Sequence, residues 1–304
     1  MKTMKSKFYS LALAAGMLSL TACSDDNTND SNNDKGNGIE NGSTLKGTIT
    51  EDVTLKAGNT YKLSGEYIVE AGATLNIEEG VKIISVYDNI VDYILVKQGA
   101  KINAVGTPDK PIVMTSEKEE PGAWGGIHIC GKAHTNAEGG KGSSEIGGAV
   151  YGGNDDADNS GTLQYIRLEY TGFAFDEEHE ANGISFYGVG NGTIVDHCEA
   201  YKGSDDGFEF FGGSVNVSNM VVVSCSDDSF DWTEGWNGKG TDLVAYQEAK
   251  ATLGYDCDCL IEADNNENDN AATPVSHPVL KNLILAGNGE SKQGIRLRRG
   301  TQAD

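Results

Sequence analysis

Two pairs of adjacent aspartates are the residues of this sequence best suited to chemistry. They occur in the related stretches GSDDGFEFFGG and CSDDSFDW, and they are Asp205, Asp206, Asp227 and Asp228. Aspartates beside Gly and Ser in a turn most often accept backbone hydrogen bonds, and this is the first interpretation. Carboxylates also bind hard cations such as Ca²⁺, and pairs of them hydrolyse glycosides. Turn formation, calcium binding and catalysis therefore stay open, in that order.

The segment after each aspartate pair alternates aromatic and acidic residues. Because side chains alternate between the two faces of a strand, Phe208 and Phe210 share one face, which we expect to be core rather than a platform for sugars. The opposite face is predicted to look outward and is a candidate ligand-binding surface formed by Glu209, Asp231, Glu262 and Arg296. Trp236, in EGWNGKG, is a weaker candidate for stacking on a sugar, although a ring that caps a turn fits its glycine neighbours better.

Two polar loops offer side-chain oxygens at alternate positions, a spacing that suits calcium. GGNDDADNSG contains Asn154, Asp156 and Asp158, and EADNNENDN contains Asp264, Asn266 and Asn268. Neither loop has the glycine at position six and the glutamate at position twelve of an EF-hand. Solvated insertion loops are the favoured interpretation, so these residues are weaker metal candidates.

Self-similar segments predict the repeating fold that positions these residues. YIVEAGATLNI and YILVKQGAKIN repeat with a shift of 27 residues, and the two aspartate stretches align with a shift of 22. Later rungs place Phe208 in line with Phe230, Ile261 and Ile295. Coils of 22 to 34 residues with about three short strands each indicate an all-β fold, a right-handed single-stranded parallel β-helix, over residues 47–304.

Stacking in such a fold brings like charges together. Equivalent residues of successive coils lie about 4.8 Å apart, where two carboxylates repel by roughly 3.5 kcal/mol at an effective dielectric near 20. Water and backbone amides, a retained proton or a bridging cation can each relieve this repulsion.

The N-terminus predicts export and lipid anchoring. Residues 1–22 combine early lysines with FYSLALAAGMLSL, which is too short to span a bilayer, and LTAC places Cys23 at the cleavage point of a lipoprotein signal peptide. An ordinary secretory signal is the alternative. Acyl chains such as palmitate on Cys23 would anchor the protein in the outer membrane. The following SDD resembles a tag that sends lipoproteins to the cell surface, and the polar residues 23–46 are predicted to form a flexible tether.

Charge and cysteine content narrow the classes of partner. The chain has a net charge of −23, and without residues 1–22 it has 20 basic and 46 acidic residues, a net charge of −26. This excess of negative charge argues against nucleic acid and favours cations. After Cys23, an odd number of cysteines remains, so at least one thiol is free, and we interpret all of them as mostly buried, small apolar residues, with one disulfide as the alternative. They are Cys130, Cys198, Cys225, Cys257 and Cys259.

A series of motifs over roughly residues 50–304 resembles the WGG-motif β-helix lipoproteins. The motifs are EAGATLNIEEGVKI, GTPDKPIVMTS, GAWGGIHICGKA, YGGNDDADNSGTLQYIRLEYTG, SDDGFEFFGG and IEADNNENDN. The resemblance implies a surface or secreted β-helix and supplies no catalytic residues. Members of this group usually continue past the point where GIRLRRGTQAD ends here, so we expect the chain to be incomplete at its C-terminus.

Three functions are compatible with these features. The first is a non-catalytic surface lipoprotein whose β-helix binds an extracellular ligand, a polysaccharide above all, with calcium as the possible cofactor. The second is a calcium-dependent polysaccharide lyase or a glycoside hydrolase, for which the aspartate pairs with Arg296 and Arg298 are the candidate residues. The third is a structural component of a surface coat.

Overall fold

The computed structural model of the protein describes residues 38–88, 90–175 and 179–304. The predicted signal peptide, Cys23 and the first part of the predicted tether lie outside the described residues. The strands, β1 to β22 in chain order, are Gly38–Ile39, Thr44–Ile49, Val53–Leu55, Thr60–Val69, Thr74–Ile77, Lys82–Ser85, Tyr93–Val96, Lys101–Val105, Ile112–Ser116, Ile127–Cys130, Gly142–Ser143, Val150–Tyr151, Gly161–Glu169, Ile184–Tyr187, Ile194–Tyr201, Phe208–Phe211, Asn216–Val223, Phe230–Thr233, Lys239–Tyr246, Ile261–Ala263, Val279–Ala286 and Ile295–Leu297. A 3-10 turn, Glu138–Gly140, and one short helix, Lys250–Leu253, complete the elements found in these residues.

The predicted parallel β-helix is confirmed. Within the described residues, 20 of the strands form one sheet in which every pairing between named strands is parallel, and β11 and β12 form a separate antiparallel pair. The predicted shift of 27 appears as Tyr67 paired with Ile94, and the shift of 22 as Phe208 paired with Phe230. One row of strands, β7, β10, β14, β16, β18, β20 and β22, carries the candidate residues and is called the site face below.

The interior of the coils is a stacked apolar core. Phe208 lies over Phe230 with ring centroids 5.9 Å apart, and Phe186 lies over Phe210 at 5.1 Å. The aromatic column is therefore packing, as the alternation of residues predicts. The structure corrects the prediction that Trp236 contacts a ligand: its ring is 1 % exposed, stacks on Phe210 at 4.1 Å and donates its indole N–H to the carbonyl of Val215.

Long strands in the later coils bend at one residue per coil. The N-terminal half of β13 pairs with β8 and its C-terminal half with β9, so one bent strand continues two separate ones. The bend lies at Tyr165, and the coils above it bend at His197, Asn219, Asp242 and Asn282, all with φ between 51° and 58°. This left-handed conformation turns the chain between two faces of the solenoid without a loop.

The solenoid begins earlier than the sequence predicts. Strand β1 pairs with β3, and β2 pairs with β4, so residues 38–46 belong to the first coils rather than to the tether. The polar composition of residues 38–46 does not predict these strands, because the short strands of the first coils need few apolar side chains. Within the described residues, no helix is long and apolar enough to span a membrane.

Gly161, at the start of β13, offers a test of the close packing between coils. Its φ is 125°, and a Cβ atom there would lie 1.9 Å from the carbonyl oxygen of Ile102 in the preceding coil. We expect Gly161→Ala to lower the free energy of unfolding by about 2–3 kcal/mol, through overpacking and backbone strain. Urea denaturation measures the change. Gly72→Ala is the control, because it has φ 92° but no atom within 4 Å; equal losses in the two variants would contradict the clash.

Candidate functional site

The aspartate pairs lie in the turns that lead into the site face. Each second aspartate accepts a backbone N–H from the next coil: Asp228 N–H donates to Asp206 Oδ1 at 2.9 Å, and Cys259 N–H donates to Asp228 Oδ1 at 2.5 Å. Asn182 continues this ladder in the coil before, because its Oδ1 accepts the N–H of Asp206 at 3.2 Å. Backbone bonding is thus one real role of Asp206 and Asp228, and it fixes their carboxylates in place.

The outward side of the site face is covered, contrary to the expectation that it faces solvent. Residues 131–160, called the cover segment, fold across it: Tyr151 packs on Tyr187 at 5.1 Å, and the Tyr187 hydroxyl donates to Glu145 Oε2 at 3.1 Å. The cover segment supplies part of a second apolar cluster outside the coils, formed by Tyr93, Leu95, Cys130, Ile146, Ala149, Tyr151, Ala181, Tyr187 and Phe211. As a result, the acidic columns are largely buried.

The two acidic columns converge on one small cavity of about 160 Å³, called the acidic cavity below. Among the described residues, every side chain that lines it is acidic: Glu145, Glu180, Asp205, Asp206, Glu209, Asp227, Asp228, Asp231 and Glu262. Asp205 and Asp206 are only 7 % and 6 % exposed, whereas Asp227 is half-buried and Glu180 is exposed at the mouth. The structure therefore brings together the four predicted aspartates and three members of the predicted ligand-binding column.

Burial and mutual repulsion hold protons on this cluster. Burial first, then the neighbouring Asp227, raises the pKa of Asp228 to about 8. Burial together with Asp258 raises the pKa of Asp227 to about 6, and burial raises the pKa of Glu145 to about 7. For Asp205, Asp206, Glu209 and Asp231, burial and then nearby carboxylates raise the pKa well above the ordinary value. Near neutral pH the cavity must therefore retain protons or bind a cation.

The residues present fit a hard cation. The carboxylate oxygens of Glu180, Asp205 and Asp227 lie within 4.8 Å of one another, and so do those of Asp206, Glu209 and Asp231. Asp231 Oδ1 is buried and has no hydrogen-bond partner among the described residues. A buried carboxylate oxygen without a donor is a position where Ca²⁺, which is bound by carboxylate oxygens, would satisfy the site.

A larger groove of about 650 Å³ adjoins the acidic cavity and shares Glu145, Glu209 and Asp231 with it. It is also lined by Arg298 and Arg299, which are paired with Asp264 and Glu262. Burial alone would lower the pKa of Arg298, but hydrogen bonding to Asp264 and the charges of Asp264 and Glu262 raise it overall.

The remaining candidates are engaged elsewhere. Arg296 Nη1 lies 2.7 Å from Glu262 Oε1, so this arginine neutralises one end of the acidic column. Asp264 accepts Arg298 Nε at 2.9 Å and Arg299 Nη1 at 2.5 Å, and Asn266 donates to Asn136 Oδ1 at 3.0 Å.

The GGNDDADNSG loop remains at the surface. Asp156 accepts His134 Nδ1 at 2.6 Å, Asp158 accepts the Ser160 hydroxyl at 3.1 Å, and Asn154 is exposed. Asn268 is exposed at the rim of the groove. The two alternate-oxygen loops thus use their carboxylates largely in internal contacts.

Four residues of the site were not predicted from sequence. Glu145 and Glu180 come from segments outside the repeat, Asn182 lies in an irregular turn, and Cys259 was interpreted as apolar. Of these, Asn182 carries the clearest signal, because ANGISF aligns with SDDGFEF through the pairing of Ile184 with Phe208.

Comparison with known proteins agrees with the fold. A family model described as a pectate-lyase-like beta helix domain matches residues 47–304. Among curated proteins, none matches the chain. Since the family model covers most of the chain, and the strands wind in parallel coils over the same residues, the protein belongs to the pectate-lyase-like β-helix family.

Proposed function

We propose that this protein is a surface lipoprotein that binds an extracellular polysaccharide in the groove, with Ca²⁺ held in the acidic cavity. One observation carries the proposal: a cavity lined by carboxylates opens beside a groove that shares three of them. A cation in the cavity would leave coordination positions directed at the groove, and sugar hydroxyl or carboxylate oxygens are suitable ligands for them.

The chemistry of the groove supports a glycan as ligand. Thr233 and Asn268 offer hydroxyl and amide groups to a ligand rich in hydroxyl groups, and Glu234 and Arg299 line the same groove while also bound to Tyr151 and Asp264. Membership of a pectate-lyase-like family supports a function related to glycans. The lipoprotein signal predicted around Cys23 and the resemblance to WGG-motif lipoproteins support a place on the outer membrane, facing outward.

Calorimetric titration of the purified protein tests the proposal. We expect Ca²⁺ to bind after EDTA treatment, and a panel of neutral and anionic polysaccharides to contain a ligand retained more strongly in Ca²⁺ than in EDTA. The double variant Asp205→Asn/Asp227→Asn should weaken Ca²⁺ binding at least about tenfold, because two of its ligands lose their charge. Asp242→Asn is the matched control, since Asp242 is exposed on another face. If the wild-type protein does not bind Ca²⁺, the proposed calcium site is wrong. If no polysaccharide is retained, the proposed polysaccharide-binding function is wrong.

A glycoside hydrolase is the second candidate, favoured by the close carboxyl groups of Asp227 and Asp228 in the acidic cavity. Burial and neighbouring carboxylates raise the pKa values of both groups, and hydrolysis of a glycoside uses such a pair of carboxyl groups as general acid and general base. A lyase is disfavoured, because Arg296 and Arg298 are held in ion pairs and are poor bases. New reducing ends from a bound polysaccharide, lost in Asp228→Asn, would favour hydrolysis over binding alone.

A further inference from the structure

Cys259 differs from the apolar cysteines of the core. Cys198 and Cys225 pack in the apolar core and Cys130 in the second apolar cluster, whereas Cys259 belongs to neither, although it is fully buried. Its Sγ lies 3.9 Å from Glu262 Oε1 and 3.5 Å from Asp258 Oδ1. A thiol enclosed by carboxylates gains little from apolar packing, so its position indicates another role.

We propose that Asp228, Cys259 and Glu262 form a mixed sulfur–oxygen site for a transition-metal ion such as Zn²⁺. The ligand atoms of the three residues all lie within 4.8 Å of one another, and all three residues are buried. Around a tetrahedral ion with bonds of about 2.3 Å to sulfur and about 2.1 Å to oxygen, neighbouring ligand atoms are roughly 3.4–3.6 Å apart. The Cys259–Glu262 distance is already close to this spacing, so small rotations of the side chains complete the site.

Asp231 also points to a missing cation in this part of the acidic cavity. It lines the acidic cavity together with Asp228 and Glu262, and its buried Oδ1 has no hydrogen-bond partner among the described residues. Burial is the largest cause of the raised pKa of Asp231, and the charges of Asp228 and Glu262 raise it further. A metal ion between these groups would replace their mutual repulsion by attraction.

Neighbouring groups hold the three ligands in the way that outer partners orient metal ligands. Cys259 N–H donates to Asp228 Oδ1, and Arg296 and Arg298 bind the Glu262 carboxylate. Burial, and then nearby carboxylates, raise the pKa of the Cys259 thiol, so it keeps its proton without a metal. Metal binding would release this proton to solvent and leave the thiolate as ligand. The three protein ligands leave a fourth position for water or a bound ligand.

This inference goes beyond the proposed function and does not depend on it. The oxygen triad Glu180, Asp205 and Asp227 shares no residue with Asp228, Cys259 and Glu262, whereas a further carboxylate group, Asp206, Asp227 and Asp228, has one residue in common with each of these two sets. Sulfur ligands select zinc-like ions over calcium, because calcium takes oxygen ligands. The two sites are therefore distinguishable by the identity of the metal and by the thiol.

Co²⁺ titration of the purified full chain, stripped of metal and kept reduced, tests the site. We expect one Co²⁺ per chain to give a near-ultraviolet thiolate-to-cobalt band that Zn²⁺ abolishes and excess Ca²⁺ does not. X-ray absorption of the Zn²⁺-loaded wild-type protein should show one sulfur at about 2.3 Å. This second measurement needs no variant, so it stands even where a substitution prevents folding.

Variants identify the thiol. Cys259→Ser should remove the charge-transfer band and weaken Zn²⁺ binding at least about tenfold. Cys257→Ser is the matched control, because Cys257 is two residues away and also buried. This variant should keep both the charge-transfer band and the Zn²⁺ affinity. A cobalt complex without the thiolate band, a zinc shell without sulfur, or a band that survives in Cys259→Ser would each overturn the site.

Discussion

Replacing Trp236 with alanine will lower the free energy of unfolding by about 3–5 kcal/mol, the usual loss for a large buried aromatic side chain. The indole ring stacks on Phe210 at 4.1 Å and packs against Trp232 at 5.7 Å, so its removal opens a cavity between two coils. It also leaves the carbonyl of Val215 without its 3.1 Å hydrogen bond from Nε1. Urea denaturation followed by far-ultraviolet circular dichroism measures the loss.

Trp236→Phe separates packing from hydrogen bonding. Phenylalanine keeps the ring over Phe210 but lacks the indole N–H, so we expect a loss of about 1–3 kcal/mol, from the unpaired carbonyl and the smaller volume. The same pair of variants addresses the hypothesis that Trp236 binds sugar. A stable Trp236→Ala protein with lost polysaccharide binding would contradict the core position and restore the ligand role.

The repeat made the fold predictable. Phe208, Phe230 and Ile261 recur where each coil needs an inward apolar residue, and the backbone pairs them, and then Ile261 with Ile295, in the predicted register. Side-chain alternation then assigned Glu209 and its partners to the opposite face without any structural information. Such inferences succeed because a solenoid repeats its local geometry, so sequence spacing is converted directly into spatial stacking.

The burial of the site was not predictable in this way. The cover segment does not repeat, and the contact of Glu145 with Tyr187 joins residues 42 positions apart in the chain. Without that cover, stacked carboxylates would be solvated, which is what the sequence favours. The ion pairing of Arg298 with Asp264 has a similar explanation, because it joins two successive coils of unequal length across 34 residues.

After divalent cations have been removed, the free energy of unfolding of the protein should fall as the pH rises. In the unfolded chain, Asp228 and Asp227 would titrate near 3.8 and Glu145 near 4.5, whereas in the fold their pKa values are about 8, 6 and 7. The folded state therefore holds protons that the unfolded state releases. The contribution of these three groups to the free energy of unfolding is fully present below about pH 4, and it is lost as the pH rises toward 8.

Asp228→Asn provides the decisive comparison, because asparagine keeps an Oδ1 to accept the Cys259 N–H but has no charge. In EDTA at pH 8, we expect this variant to melt several degrees above the wild-type protein, at about 2–4 °C per kcal/mol. At pH 5 the two should melt alike, since wild-type Asp228 is then protonated. Ca²⁺ should raise the wild-type melting temperature more at pH 8 than at pH 5, because it neutralises charge that protons neutralise at low pH. Asp242→Asn should behave as wild type throughout. A wild-type melting temperature in EDTA that rises between pH 5 and pH 8, or an Asp228→Asn variant less stable at pH 8, would show that the buried carboxylates are relieved by something other than protons and cations.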